Sequence, residues 1–172
     1  MTINFKQTNT KEKILYNNIL LLSRNTEFYT KFNLTDTFQN RIHLIFFHIS
    51  FLLIKIKQNN LNKSYKVFYQ KIFDLIFNQI ELNMREIGYG DVLINKNMKL
   101  LVKNFYNILL NCEKYKEINL KSKKMFFLKY LSSKDLEKPT INDFLIEYFN
   151  KYEAFCFDLS PDSVLSGELN FN

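Results

Sequence analysis

Apolar residues recur along this chain at steps of three and four, the spacing that lines one face of an α-helix, and seldom at the alternating spacing of a strand. Ile14, Leu15, Ile19 and Leu22 share a face over a first helix predicted from Lys11 to Leu22. A broken segment, Arg24 to Lys31, follows. Asp36 with Gln39 three residues on reads as a capping box, opening a long helix that turns Ile42, Phe46, Ile49, Leu53 and Ile56 inward and ends at Gln58-Asn59-Asn60. Ser64 is positioned to cap a third helix with an apolar stripe of Phe68, Ile72, Phe73, Ile76, Ile80, Met84 and Ile87. Its opposite stripe is polar: Asp74, Asn78, Glu81 and Arg85. Gly88-Tyr89-Gly90-Asp91 then breaks the helix, because glycine takes the left-handed conformation that closes a helix C-terminus.

Beyond that turn, Asn95 is expected to cap a helix from Lys96 to Lys116 that buries Met98, Leu101, Val102, Phe105, Leu109 and Cys112. A shorter helix spans Lys121 to Leu131, and a last one runs from Ile141 to Phe157, capped by Thr140 with Asp143 at the third position. The expectation is an all-α fold: one domain of about six helices over residues 11–157, with a flexible stretch at 1–10 and a frayed acidic tail at 158–172. No coiled-coil heptads are sustained over several turns.

Composition agrees with that outline. The 172 residues include only three glycines and two prolines, too few for hairpin turns, while 18 Phe and 10 Tyr promise a core of large flat side chains. Cys112 and Cys156 have no Cys or His neighbour at metal-ligand spacing and read as buried reduced thiols. The apolar run from Ile42 to Ile56 is interrupted by His43, His48 and Lys55 and falls short of the ~18 to 20 residues that span a bilayer. It reads as a central core helix. Residues 1–10 lack the cationic start and apolar core of a secretory signal, so a cytoplasmic location is expected.

The net charge of +7 is unevenly spread: residues 1–94 carry +5, residues 95–134 carry +8, and residues 135–172 carry −6. Lys96, Lys99, Lys103, Lys121, Lys123 and Lys124 in the middle block could face phosphate, in lipid head groups or in RNA. Against 21 lysines there are three arginines, Arg24, Arg41 and Arg85, placed where a planar fork is needed to hold a carboxylate or carbonyls. The plain reading is that they pin loops or helices together. The bend with Gly88 and Gly90 gathers Arg85, Glu86 and Asp91, which suits a structural turn or a partner-docking surface better than a catalytic carboxylate pair.

His43 and His48 lie five residues apart, about 140° around a helix axis, and cannot converge on one metal. Each is better read as bonded to a carbonyl or carboxylate within the bundle. There is no GxSxG motif, Walker loop or phosphate-cradling glycine fingerprint, and no nucleophile, base and oxyanion donors that assemble. The expectation is a protein without catalytic activity, cofactor or metal.

Three segments carry a resemblance: LYNNILLLSRNTEFYTKF, LTDTFQNRIHLIFFHISFLLIKIK and IFDLIFNQIELNMREIGYGDVLINKNMKLLVKNFYNIL. From about Tyr16 to Tyr115 the chain is similar to the ubiquinol-cytochrome c chaperone family. The most specific parts are the Arg-Glu-x-Gly-x-Gly-Asp turn (Arg85 to Asp91), the helix from Asn97 to Tyr106, and the Arg-x-His-Leu…His helix from Arg41. Arg24, Tyr29, Asp36, Arg41, His48 and Arg85 fall at motif positions, while Asn40 and Tyr89 depart from the family pattern.

The resemblance implies a non-enzymatic assembly factor that binds newly made cytochrome b and supports assembly of respiratory complex III. It implies work at the cytoplasmic face of the inner membrane, with a ribosome and a small partner subunit as further contacts, and no DNA. Asp74, Asn78, Glu81, Arg85, Glu86, Gly88, Tyr89, Gly90 and Asp91 are the expected client-facing surface. Two other readings rest on the lysine block: a ribosome- or RNA-binding module, and a membrane-surface protein that recognises anionic lipid.

Overall fold

The apolar run at the centre of the sequence becomes the axis of the molecule. In a computed structural model that describes residues 10–57 and 63–171, helix α3 (Phe38–Lys57) is buried along nearly its whole length, polar positions included. Around it lie α1 (Lys11–Ser23), α4 (Lys63–Glu86), α5 (Asp91–Glu113) and α7 (Asp143–Asp158). The most extensive of these packings is between α3 and α5. Three short helices complete the chain: α2 (Glu27–Thr30), α6 (Leu120–Leu128) and α8 (Pro161–Ser166). Among the described residues the only β-like pairing is an isolated bridge between Leu34 and Ser133, and no helix is long and apolar enough to cross a membrane. The fold is all-α, as the spacing predicts, with α2 and α8 added to the six expected helices.

The core is aromatic. Phe46 of α3 meets Phe77 of α4 and Phe105 of α5, while Phe47 packs against Phe126, Phe127 and Phe149 from α6 and α7. Ring centroids 4.7–5.6 Å apart, mostly tilted or edge-on, are the arrangement that aromatic quadrupoles favour. The predicted inward residues of α3 are all buried, as is most of the predicted stripe on α4. Ile87 differs: it lies past the end of α4 and is exposed.

Polar groups on α3 are matched by its neighbours. His43 donates from Nδ1 to the carbonyl of Tyr130 (2.7 Å), leaving Nε2 to accept from Asn104 of α5 or Gln39. His48 donates from Nδ1 to the Leu44 carbonyl (2.6 Å) and accepts from the Tyr148 hydroxyl of α7 (2.7 Å). Burial holds both imidazoles neutral, lowering their pKa values to about 4. Asn40 pairs with Ser132 much as one peptide group pairs with another, donating to its carbonyl (2.8 Å) and accepting its N–H (2.9 Å). These bonds fasten the entry to α3 onto the loop after α6.

Helix starts are where the structure departs from the sequence reading. At α3 the cap is Thr37, whose Oγ1 accepts the Asn40 N–H, because Asp36 is held by both nitrogens of Arg41 at 2.7 and 2.8 Å. Helix α4 begins at Lys63, which places Ser64 inside its first turn; the expected stop at Gln58-Asn59-Asn60 lies outside the described residues. Helix α5 begins at Asp91 with Gly90 as cap, so Asn95 is internal: Ile94 is buried, and the helix must start before it. At α7 the Asn142 side chain, rather than Thr140, accepts the Phe144 N–H (2.9 Å).

The segment read as a frayed tail belongs to the folded body from Asp158 to Phe171. Ser160 caps α8, Val164 is fully buried, and Phe171 packs against Tyr148, Tyr152 and Phe155. Gly167 closes α8 in a left-handed conformation (φ 80°), with Glu168 N–H bonded to Ser163 and its own N–H to Val164. Its carbonyl accepts from Asn18 of α1 (2.6 Å), and a Cβ there would stand 2.9 Å from the Leu15 nitrogen. The expected flexible stretch at 1–10 lies, but for Thr10, outside the described residues.

Two outcomes follow from this packing. Gly167→Ala meets both the positive φ and the Leu15 backbone, so it should lower stability by about 1–3 kcal/mol, read as a fall in melting temperature. The histidines bind protons near pH 6.5 when unfolded and near 4 when folded, so their stabilising effect is complete above 6.5 and lost as pH falls toward 4. Urea unfolding at pH 5 should show a loss of about 2 kcal/mol per histidine relative to pH 7. A midpoint that does not move over this interval would contradict neutral burial.

Candidate functional site

The bend between α4 and α5 is built by two different glycines. Gly88 sits at φ 92°, where the Tyr89 N–H bonds the Met84 carbonyl and the Gly88 N–H bonds Arg85, the paired bonds of a Schellman helix end. Its conformation needs glycine. Gly90, at φ −75° and ψ 156°, is an ordinary helix cap, and nothing lies within 4 Å of where a Cβ would stand. Any residue could adopt that backbone.

Arg85 spans the bend. Its guanidinium donates to Glu81 one turn back (2.8 Å) and to Asp91 across the turn (2.7 Å), and these carboxylates hold the arginine firmly charged. Asp91 also stands at the α5 N-terminus, where the helix dipole favours a negative charge. Arg85, Glu86, Gly88, Gly90 and Asp91 are exposed, with Tyr89 half-buried. The polar stripe runs away from the bend along α4 through Glu81 and Asn78 to Asp74, which accepts from Gln70 (2.7 Å). Exposed aliphatic side chains flank these charges: Leu82, Ile87, Val92 and Leu93.

Beside the bend, α1, α3 and α4 enclose a groove of about 420 Å³. Ile42, Ile45 and Ile80 form a buried apolar floor, while Arg24, Arg41, Asn83 and Glu86 stand at the rim. Two of the three arginines therefore share one cleft with a residue of the bend motif. Arg41 is oriented by Asp36, whose carboxyl it holds below its usual pKa, and its guanidinium lies 6.0 Å over the Tyr29 ring. Arg24 has no ion pair or side-chain hydrogen bond among the described residues, leaving its five N–H donors open to the groove. Sequence spacing did not find this groove, because its walls come from helices that are far apart in the chain. The surplus of lysine over arginine was the signal that pointed toward it.

The remaining predicted residues lie elsewhere. His48 is a core residue, and Tyr106 lies on the outer side of α5, half-exposed against Phe73. The lysine block is split. Lys96, Lys99 and Lys103 are exposed on α5 and Lys121 on α6, while Lys123 covers the Tyr115 ring and bonds Asn150, and Lys124 pairs with Asp143. Among the described residues no group of three or more His, Cys, Asp or Glu side chains could hold a metal ion. Cys112 and Cys156 are buried thiols, their pKa values pushed up by desolvation.

This arrangement offers an open groove, two guanidinium forks and a charged bend. Comparison with known proteins gives the family. A mouse protein named ubiquinol-cytochrome c reductase complex assembly factor 1 is 22% identical over 146 residues, covering 84% of this chain and 49% of the mouse protein. The chain thus spans about half the length of that relative. The crystal structure of the Cbp3 homolog from Brucella abortus shares the fold, with a TM-score of 0.76, 21% identity, and coverage of 94% of this chain and 88% of that one. The family model described as ubiquinol-cytochrome C chaperone matches residues 30–117, a span that holds Arg41, the whole groove floor and the entire bend, and the chain belongs to this family.

Proposed function

We propose that the chain is an assembly chaperone for ubiquinol-cytochrome c reductase, and that it binds newly made cytochrome b through the α1–α3–α4 groove and the adjoining bend. Family membership supports the class. The observation that carries the site is the convergence of Arg24, Arg41 and Glu86 on one open apolar-floored cleft that reaches Ile87, next to the first glycine of the bend.

A client with several membrane helices exposes apolar segments and polar loops before its partners join. A groove with an isoleucine floor takes an aliphatic face, and guanidinium forks on its rim fix a carboxylate or a helix-ending carbonyl beside it. Holding requires no bond to change, and the proposed role is therefore non-catalytic. The site of action would be the cytoplasmic face of the inner membrane, with ribosome and a small partner subunit as further candidates for contact.

Gly90 distinguishes docking from mere turn formation. Since its backbone conformation is open to any residue, Gly90→Asn should keep or raise the melting temperature, asparagine being a favourable helix cap, while the added side chain obstructs a closely docked segment. Gly88→Ala should instead lower stability by about 1 kcal/mol.

Arg85→Ala removes ion pairs that lie in solvent and contribute little to stability, so the fold should survive it with its melting temperature nearly unchanged. Arg24→Glu with Arg41→Glu should reduce client capture at least tenfold, the loss expected for charge-assisted hydrogen bonds. The measurement is crosslinking and pulldown from native membranes with the tagged chain, scored for cytochrome b. Recovery of cytochrome b by wild type and its loss in the groove variants supports the proposal; equal recovery by both removes the groove from it.

A further inference from the structure

The outer face of α5 combines exposed lysines with exposed aliphatic side chains. Its inner residues, Ile94, Leu101, Phe105, Ile108 and Cys112, are buried, and the helix packs on α3 and α4. At 100° per residue, Val92, Lys96, Lys99, Lys103 and Leu110 fall within about 60° of one another on the opposite side, flanked by Leu100 and Tyr106. Val92 is 86% exposed, Leu100 52% and Leu110 57%, large values for aliphatic side chains on a helix that has a core to join. From Val92 to Cys112 there is no acidic residue. Lys96, Lys99 and Lys103 have no carboxylate partner among the described residues, whereas Lys57, Lys71, Lys116 and Lys124 each have one.

We infer that this face of α5 rests on an anionic lipid surface. Lysine and aliphatic side chains on one stripe of about 27 Å meet two different demands, and a bilayer interface satisfies both. Phosphate head groups attract the ammonium groups, while Val92, Leu100 and Leu110 reach the boundary of the acyl chains beneath. The lysine stems allow this, since their methylene groups lie along apolar surface while the charge stays at the head-group level. Half-exposed Tyr106 suits the same depth, with an apolar ring and a polar tip.

RNA fits the charge but not the remainder. The face carries no arginine to grip phosphate in two places, and its aliphatic side chains would be pressed against a polar backbone. The inference is independent of the client reading, because α5's outer residues are not part of the groove.

The test uses the full chain and vesicles of phosphatidylcholine, alone or mixed with phosphatidylglycerol, in a sedimentation assay. Wild type should bind the mixed vesicles and not the neutral ones. The triple variant Lys96→Glu, Lys99→Glu, Lys103→Glu should bind them at least tenfold more weakly. The same charge change at exposed Lys13, Lys138 and Lys151 should leave binding within about twofold, so the effect cannot be net charge alone. Val92→Ser, Leu100→Ser, Leu110→Ser should bind at low salt but detach as salt is raised, since only the screened attraction remains. The inference is overturned by equal losses in both lysine triples, by no binding to mixed vesicles, or by homopolymer RNA that binds the same face and displaces the lipid.

Discussion

A helix buried on every side must hand its polar side chains to its neighbours, and α3 imposes that condition on the rest of the fold. Asn40, His43 and His48 would each cost several kcal/mol if buried unpaired. Asn40 and His43 instead bond the loop after α6, at Ser132 and Tyr130, and His48 bonds Tyr148 of α7. The Ser50 hydroxyl, also buried, has no such partner. Because these groups have directions as well as depths, they fix the rotation and register of α3, which aromatic packing alone would leave looser. The groove inherits that precision, since Ile42 and Ile45 of its floor sit on the same helix.

Stability and the proposed recognition site sit on different surfaces. Aromatic rings and satisfied histidines hold the interior, while the ion pairs of Arg41 and Arg85 lie in solvent, where they contribute little to folding. Their value is geometric. A lysine could neutralise Asp36 or Asp91, but only a planar fork fixes the direction of the carboxylate as well. Arg85 holds the width of the bend and Arg41 stands oriented at the groove, so both motif arginines act as pins, and the same pinning shapes the surface available to a visitor.

Much of this was legible in the sequence. The three- and four-residue spacing identified the main helices and one buried face on each of the first four, but it left out positions such as Phe47, Phe51 and Leu52 on the other sides of α3 and Phe149 and Tyr152 of α7, because a single periodic stripe does not reveal a helix covered all round. Helix starts were less legible. Asp36, Ser64, Asn95 and Thr140 are all good capping residues by type, yet a neighbour took the role or the helix began earlier, because the cap is decided by where the first buried turn must fall. The order at the C-terminal end was missed for a related reason: six residues of α8 carry too little periodicity to register, and their stability comes from α1, which no local window includes. The groove was invisible in the same way, although scarce arginines named two of its members. Asn40 shows the converse. A departure from the family pattern proves to be a buried residue with a specific set of bonds.

The clasp between α8 and α1 also sets an order of events during synthesis. Asn18 and the Gly167 carbonyl are separated by 149 residues, so the surface of α1 that α8 covers stays open until those residues too have left the ribosome. Closing so distant a contact is slow compared with forming a helix, and the nascent molecule carries an uncovered apolar flank meanwhile. A chain proposed to shelter others while they wait for partners would pass through the same vulnerable interval itself.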